Sequence, residues 1–174
     1  MKQTILEHHP LSPREIARIA DKPIRVVQYK HLHAYKDIND LFGNLDCVLI
    51  LYNTKQHYGH WIGLINHSHK IYFFDPYSMF PDDQLFFTNI KFRKENDMQY
   101  PYLVYLLYHS KKAIDYNDYQ FQTFSPNIST CGYWVGYRFR HSKLSTNQFK
   151  KLFKGIPKDK LDNTIILLCN KYLQ

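Results

Sequence analysis

His60, Asp75 and Cys131 are three residue types that carry out acyl-transfer chemistry together, and they occur in that order along this chain. Cys131 sits in Asn127-Ile128-Ser129-Thr130-Cys131-Gly132-Tyr133-Trp134, where a polar run becomes an amphipathic, aromatic one. That pattern predicts a thiol at the start of a helix. A thiolate is the reactive form of cysteine, and a helix N-terminus or a neighbouring imidazolium favours it. The amides of such a helix start are ready oxyanion donors, and Gly132 lets a substrate carbonyl approach them. The competing use for Cys131 is that of a small buried core residue. His60 opens the apolar segment Gly59-His60-Trp61-Ile62-Gly63-Leu64-Ile65, where a lone histidine is usually structural. Asp75 closes Phe73-Phe74 just before Pro76, a position that an aspartate often takes as a turn-former. As a pair they say more. The polar turn Asn66 to Lys70 folds the two segments into a hairpin and brings the start of one strand beside the end of the next. An aspartate there can accept a hydrogen bond from the imidazole, fix its tautomer and stabilise its charged form.

The other two cysteines, Cys47 and Cys169, lie inside apolar runs with no turn or glycine beside them and read as core. An odd, sparse set of three cysteines fits a reducing compartment and argues against a disulfide framework. The ten histidines are scattered, their closest pairs (His8-His9, His31/His33, His67/His69) lack partner ligands at usable spacing, and no metal site is expected.

The chain of 174 residues suits one compact domain, residues 1 to 174. Its aromatic content of 17%, mostly Tyr and Phe, predicts a bulky, tyrosine-lined core. No run approaches the length of a membrane span, and the N-terminal stretch lacks the apolar run of a signal peptide, so a chain kept inside a cell is expected. The formal charge of +8 suits a polyanion contact or simple solubility, and both uses stay open. The denser basic runs are Lys91 to Lys94, Arg138 to Lys143 and Lys150 to Lys160.

The elements that must position the three residues follow from local patterns. Ser12-Pro13-Arg14-Glu15 and Ser145-Thr146-Asn147-Gln148 are capping boxes, each opening a helix. Asp37 to Phe42 reads as a short helix ended by Gly43. Cys47 to Tyr52 is a continuous apolar run, as in a strand buried on both faces. Trp61 to Ile65, Ile71 to Phe74 and Ala113 to Tyr116 read as further strands. Pro101 to Tyr108 could be helix or strand, Tyr119 to Thr130 a loop, and Cys131 to Arg140 and Leu161 to Leu173 helices. Central strands with helices before and after predict an α+β fold, a mixed sheet with helical flanks.

His-Trp at a strand start, then Phe-Asp-Pro-Tyr-Ser, then Thr-Cys-Gly-Tyr-Trp before a helix, resembles the adenain-like cysteine proteases. That group includes the adenovirus proteinase, the proteases of ubiquitin-like proteins, and the maturation proteases of large DNA viruses, virophages and related mobile elements. The match covers roughly residues 46 to 141 and keeps the group's order His, Asp, Cys. The resemblance implies an adenain-like α+β fold with the nucleophile at a helix N-terminus. It implies His60 as general base, Asp75 as its orienting acid, Cys131 as nucleophile, and Trp61 packed beside the histidine. It also implies an oxyanion hole made by the Cys131 backbone and a glutamine. The adenovirus pattern puts that glutamine seven residues before the cysteine, where this chain has Phe124. Gln122 is the nominee, with Gln120 in reserve. The small size resembles a viral maturation protease more than a cellular deconjugating enzyme. The implied function is a cysteine endopeptidase that processes capsid or other virion precursors, acting as a monomer at the viral assembly site and in the virion. No cofactor is required for the chemistry, and DNA or a viral peptide are the activators that the resemblance suggests. Two rivals are an isopeptidase for a ubiquitin-like modifier and an inactive, basic, nucleic-acid-binding virion protein.

Overall fold

The computed structural model describes residues 9–55 and 58–174. The segment bearing on a signal peptide begins with residues outside that range, as does His8 of the His8-His9 pair. The elements run in order α1 (Pro13–Ala20), β1 (Arg25–Gln28), α2 (Ile38–Phe42), β2 (Cys47–Lys55), β3 (Tyr58–His67), β4 (Lys70–Phe74), α3 (Ile90–Glu95), α4 (Tyr102–His109), β5 (Ala113–Tyr116), α5 (Cys131–Arg140), α6 (Thr146–Lys151) and α7 (Leu161–Leu173). Turns of 3₁₀ helix span Tyr29–Ala34, Asp83–Phe87 and Lys158–Lys160. The five strands form one mixed sheet in the order β1-β2-β3-β4-β5. The inner pairs β2/β3 and β3/β4 are antiparallel, and both edge strands join in parallel. The coarse expectation of α+β therefore stands.

Strand periodicity explains two cores. Successive side chains of a strand point to opposite faces. Cys47, Leu49, Trp61, Ile65, Tyr72 and Phe74 join one buried cluster with α1, α5 and α7. Their alternates Val48, Ile50, Ile62, Leu64, Ile71 and Phe73 join a second cluster with α2 and α4. A run apolar on both faces is what two helical layers require. Helix α5 lies directly on β3 because Gly63 has no side chain. A Cβ there would come within 2.7 Å of the Phe139 ring and 3.0 Å of Val135.

The local signals at helix starts are satisfied as the patterns predict. Ser12 and Glu15 bond reciprocally at α1, and Ser145 and Gln148 do so at α6. The ambiguous Pro101 to Tyr108 segment is helical, with Leu103, Leu106 and Leu107 facing the core. Strand β1 had no reading from sequence. It is a four-residue edge strand in which only Val27 is buried, so it shows no alternation to detect. The basic run from Arg138 is not all surface. Arg138 is 1% exposed, donates to the carbonyls of His141 and Leu144, and stacks over Tyr72 and Phe149. Burial lowers its pKa to about 10.

The second cluster holds a buried polar knot. The Asp82 carboxylate accepts hydrogen bonds from the Tyr29 hydroxyl (2.5 Å), the Tyr52 hydroxyl (3.4 Å) and the Val104 amide (2.8 Å). Burial raises the pKa of this carboxyl above its ordinary value, against the pull of those donors.

Candidate active site

The hairpin of β3 and β4 sets the first two residues. Gly63 pairs with Phe74. His60, paired with Tyr52 of β2, therefore lies beyond the part of β3 that pairs with β4, toward the end of the sheet where Asp75 leaves β4. At this end β2 and β3 shift register between Asn53 and Lys55. Gly59 makes the shift tolerable, since a Cβ at that position would lie 2.0 Å from the Tyr52 carbonyl oxygen. The His60 Nε2 hydrogen-bonds to Asp75 Oδ1 at 2.7 Å, and the two residues are 5% and 1% exposed.

Helix α5 brings the third residue. Cys131 is its first residue, and its thiol lies near enough to the His60 imidazole to act on that ring's charge. With Nε2 committed to Asp75, Nδ1 is the ring nitrogen left for the thiol. Burial alone would lower the His60 pKa. The Asp75 charge, the Asp75 hydrogen bond and the neighbouring Cys131 outweigh it and raise the value to about 10. The three residues named from sequence thus converge at one point.

Two neighbours that carried no role in the sequence reading hold this group in place. Asn117, 5% exposed, grips the Asp75 peptide from both sides. Its Oδ1 accepts the Asp75 amide at 3.0 Å, and its Nδ2 donates to the Asp75 carbonyl at 2.6 Å. The Tyr77 ring stacks on the imidazole at 4.3 Å between centroids, with the planes 19° apart. The Tyr77 amide also donates to Asp75 Oδ1 at 2.8 Å. A tyrosine two residues after the aspartate was visible in the Phe-Asp-Pro-Tyr-Ser motif, but its stacking was not. Trp61, expected beside the histidine, is 8% exposed and lines the same cleft.

The cleft has a volume of about 290 Å³ and contains His60, Cys131, Trp61, Tyr77, Gln122 and Phe124 in its walls. Gln122 is buried. Its Nε2 donates to the Ile128 carbonyl (3.1 Å) and the Tyr77 hydroxyl (3.2 Å), so both amide hydrogens are engaged. Gln120 is outside the cleft wall and donates to the Gln122 carbonyl. The amides of Cys131, Gly132 and Tyr133 have no acceptor among the described residues, and the first helical bond runs from Trp134 N to Thr130 O. Gly132 is small for a reason other than substrate approach. A Cβ there would press on Leu11 and Ile16 of the α1 layer at 3.1 Å.

Cys47 and Cys169 are fully buried, and burial pushes each thiol up to about 12. Among the described residues, no group of three or more His, Cys, Asp or Glu side chains is placed to hold a metal ion, and no helix is long and apolar enough to cross a membrane.

No protein-family model matches the chain. The uncharacterized protein V9 of Sputnik virophage is 32% identical to it over 142 residues, a span that covers 81% of each chain. This chain belongs to the V9 family.

Proposed function

We propose that this V9-family protein is a cysteine endopeptidase that processes virion precursor proteins. The observation that carries the reading is one buried imidazole hydrogen-bonded to a carboxylate and sharing a cleft with a thiol at a helix N-terminus. His60 takes the Cys131 proton, and Asp75 stabilises the resulting imidazolium. The Cys131 sulfur then attacks the peptide carbonyl carbon and forms a C–S bond. The carbonyl oxygen becomes an oxyanion, which the free amides of the α5 first turn stabilise. Gln122 can add a donor if substrate displaces the Tyr77 hydroxyl or the Ile128 carbonyl. The intermediate collapses, the C–N bond breaks, and His60 protonates the leaving amine. Water, deprotonated by His60, hydrolyses the thioester and restores the thiol.

The virophage relative supports virion precursors as the substrate class, because assembling particles are where such a lineage needs limited proteolysis. The test is co-expression of the chain with the capsid precursors of its own particle, followed by mass spectrometry of new N-termini. Cleavage by the wild type and its loss in Cys131→Ala are expected. Unchanged cleavage in Cys131→Ala sinks the mechanism. Cleavage that occurs only behind the terminal glycine of a ubiquitin-like modifier turns the assignment to an isopeptidase.

A further inference from the structure

Thr130 is the residue before the nucleophile, and its side chain does something unusual for its place. Ser12, Asp37, Asn89 and Ser145 each precede a helix and each accepts a hydrogen bond from a first-turn amide. Threonine is also a favoured N-cap. Yet Thr130 makes no such bond. Its backbone sits at φ −96°, ψ 0°, whereas Ser12 and Ser145 take the extended conformation of a capping residue at ψ 158° and 163°. Its hydroxyl instead donates to Asp162 Oδ1 at 2.5 Å.

Asp162 lies in the first turn of α7, is 5% exposed, and belongs to none of the ion pairs among the described residues. Its carboxylate ties down three points around the nucleophile. Besides Thr130 it accepts from Trp134 Nε1 at 3.3 Å, one turn into α5, and from the Thr123 amide at 3.0 Å, next to Gln122. Donating this strong hydrogen bond to a carboxylate fixes the Thr130 rotamer, and in that rotamer the oxygen accepts from no first-turn amide. Its own charge is met by the three donors and by the positive end of the α5 dipole.

We infer that Asp162 is a positioning residue that keeps Thr130 from capping α5, so that the first-turn amides stay open to the oxyanion. The inference rests on the protease reading above. A helix start normally fills its unsatisfied amides with a local side chain. Here that side chain is drawn away by a residue from another element. Losing Asp162 frees Thr130 to take the extended backbone of a capping residue and turn its oxygen onto the amides that the reaction needs.

A double-variant cycle tests this with two readouts. The first is hydrolysis of a fluorogenic peptide with glycines around the scissile bond. The second is hydrogen exchange of the Cys131, Gly132 and Tyr133 amides. In Asp162→Ala, kcat is expected to fall about 100-fold with KM little changed, the size of losing an oxyanion donor. Amide protection in the α5 first turn is expected to rise. Adding Thr130→Val to Asp162→Ala removes the hydroxyl and is expected to restore kcat at least about ten-fold. Asp162→Asn keeps the side-chain volume, is made in parallel should the alanine variant fail to fold, and must move both readouts in the same direction. A merely structural Asp162 predicts the opposite pattern. The double variant is then no faster than the single, and the amides exchange as fast as before or faster. Either result overturns the inference. If the wild type hydrolyses no peptide, the protease reading fails by itself, and amide exchange alone decides the Asp162–Thr130 relation.

Discussion

Two buried aspartates, Asp75 and Asp82, sit in the same molecule with nearly the same exposure, 1% and 6%. Both accept a side-chain hydrogen bond of 2.7 Å or shorter and a backbone amide at 2.8 Å. They differ in the partner. Asp82 faces the hydroxyls of Tyr29 and Tyr52, groups that keep their protons, since burial and the Asp82 charge push both tyrosines up. Asp75 faces an imidazole, which gains and loses a proton near neutral pH in its ordinary state and has a thiol on its other side. Burial does not separate the carboxylate that holds the fold from the one proposed to serve the chemistry. The proton behaviour of its partner does.

Substitutions break this comparison at graded strengths. Asp75→Asn is expected to lower kcat by about 10⁴-fold, the cost of holding a triad imidazole in the wrong tautomer, while circular dichroism shows an intact fold. A mild loss removes Asp75 from the mechanism. Asp82→Ala is the mirror case. It strands the Val104 amide and takes the carboxylate acceptor from two tyrosine hydroxyls, of which Tyr29 keeps the Tyr100 carbonyl, so denaturant titration should show a loss of about 2–4 kcal/mol. Peptide hydrolysis per folded molecule should remain near wild type. Asn117→Ala is expected to cost roughly ten-fold or more in kcat with KM steady, because the Asp75 peptide loses both of its anchors and small misplacements are costly. Equal changes in kcat and thermal midpoint across Asp82→Ala and Asn117→Ala would erase the distinction.

The pH dependence of stability sharpens it from the other side. His60 is pushed from 6.5 up to about 10. The native state therefore binds the proton more tightly, and the stability this gives is full below pH 6.5 and lost as pH rises through about 10. Asp82 is also raised, from 3.8. For a carboxyl this means that the folded state keeps a proton the unfolded chain has released, so stability falls as pH climbs above 3.8. Thermal melts should show the alkaline loss disappear in Asp75→Asn and the acidic-side fall flatten in Asp82→Asn. Smallest of all, Cys47→Ala and Cys169→Ala should each cost about 1 kcal/mol or somewhat more for the small void left, with hydrolysis unchanged.

Much of the candidate site was legible because its residues sit where chain patterns change. The turn after His67 and the pairing of Gly63 with Phe74 place His60 and Asp75 together, and a polar-to-aromatic switch marks Cys131. Capping boxes at Ser12 and Ser145 were legible for the same reason, being satisfied within four residues. What stayed hidden depends on distant partners. Asn117 acts on Asp75 across 42 positions, and Arg138 disappears inside although its neighbours suggest a basic surface. Asp162 in an amphipathic helix reads as a solvated charge, and nothing near it in sequence announces Thr130. Gln122 was nominated through the resemblance, since strict motif spacing falls on Phe124, and its hydrogen bonds to Ile128 and Tyr77 could not be read from sequence.

The tie between Thr130 and Asp162 spans 32 positions, and its anchor belongs to the C-terminal helix. A chain growing on a ribosome thus displays His60, Asp75 and Cys131 before it has made the carboxylate that sets the thiol's surroundings. On the proposed reading, the cysteine stays in an unfinished setting until α7 has been made and has docked. Timed sampling of a cell-free synthesis should accordingly find peptide hydrolysis rising only with chains that contain α7, and activity in arrested chains that end before Leu161 would refute that order.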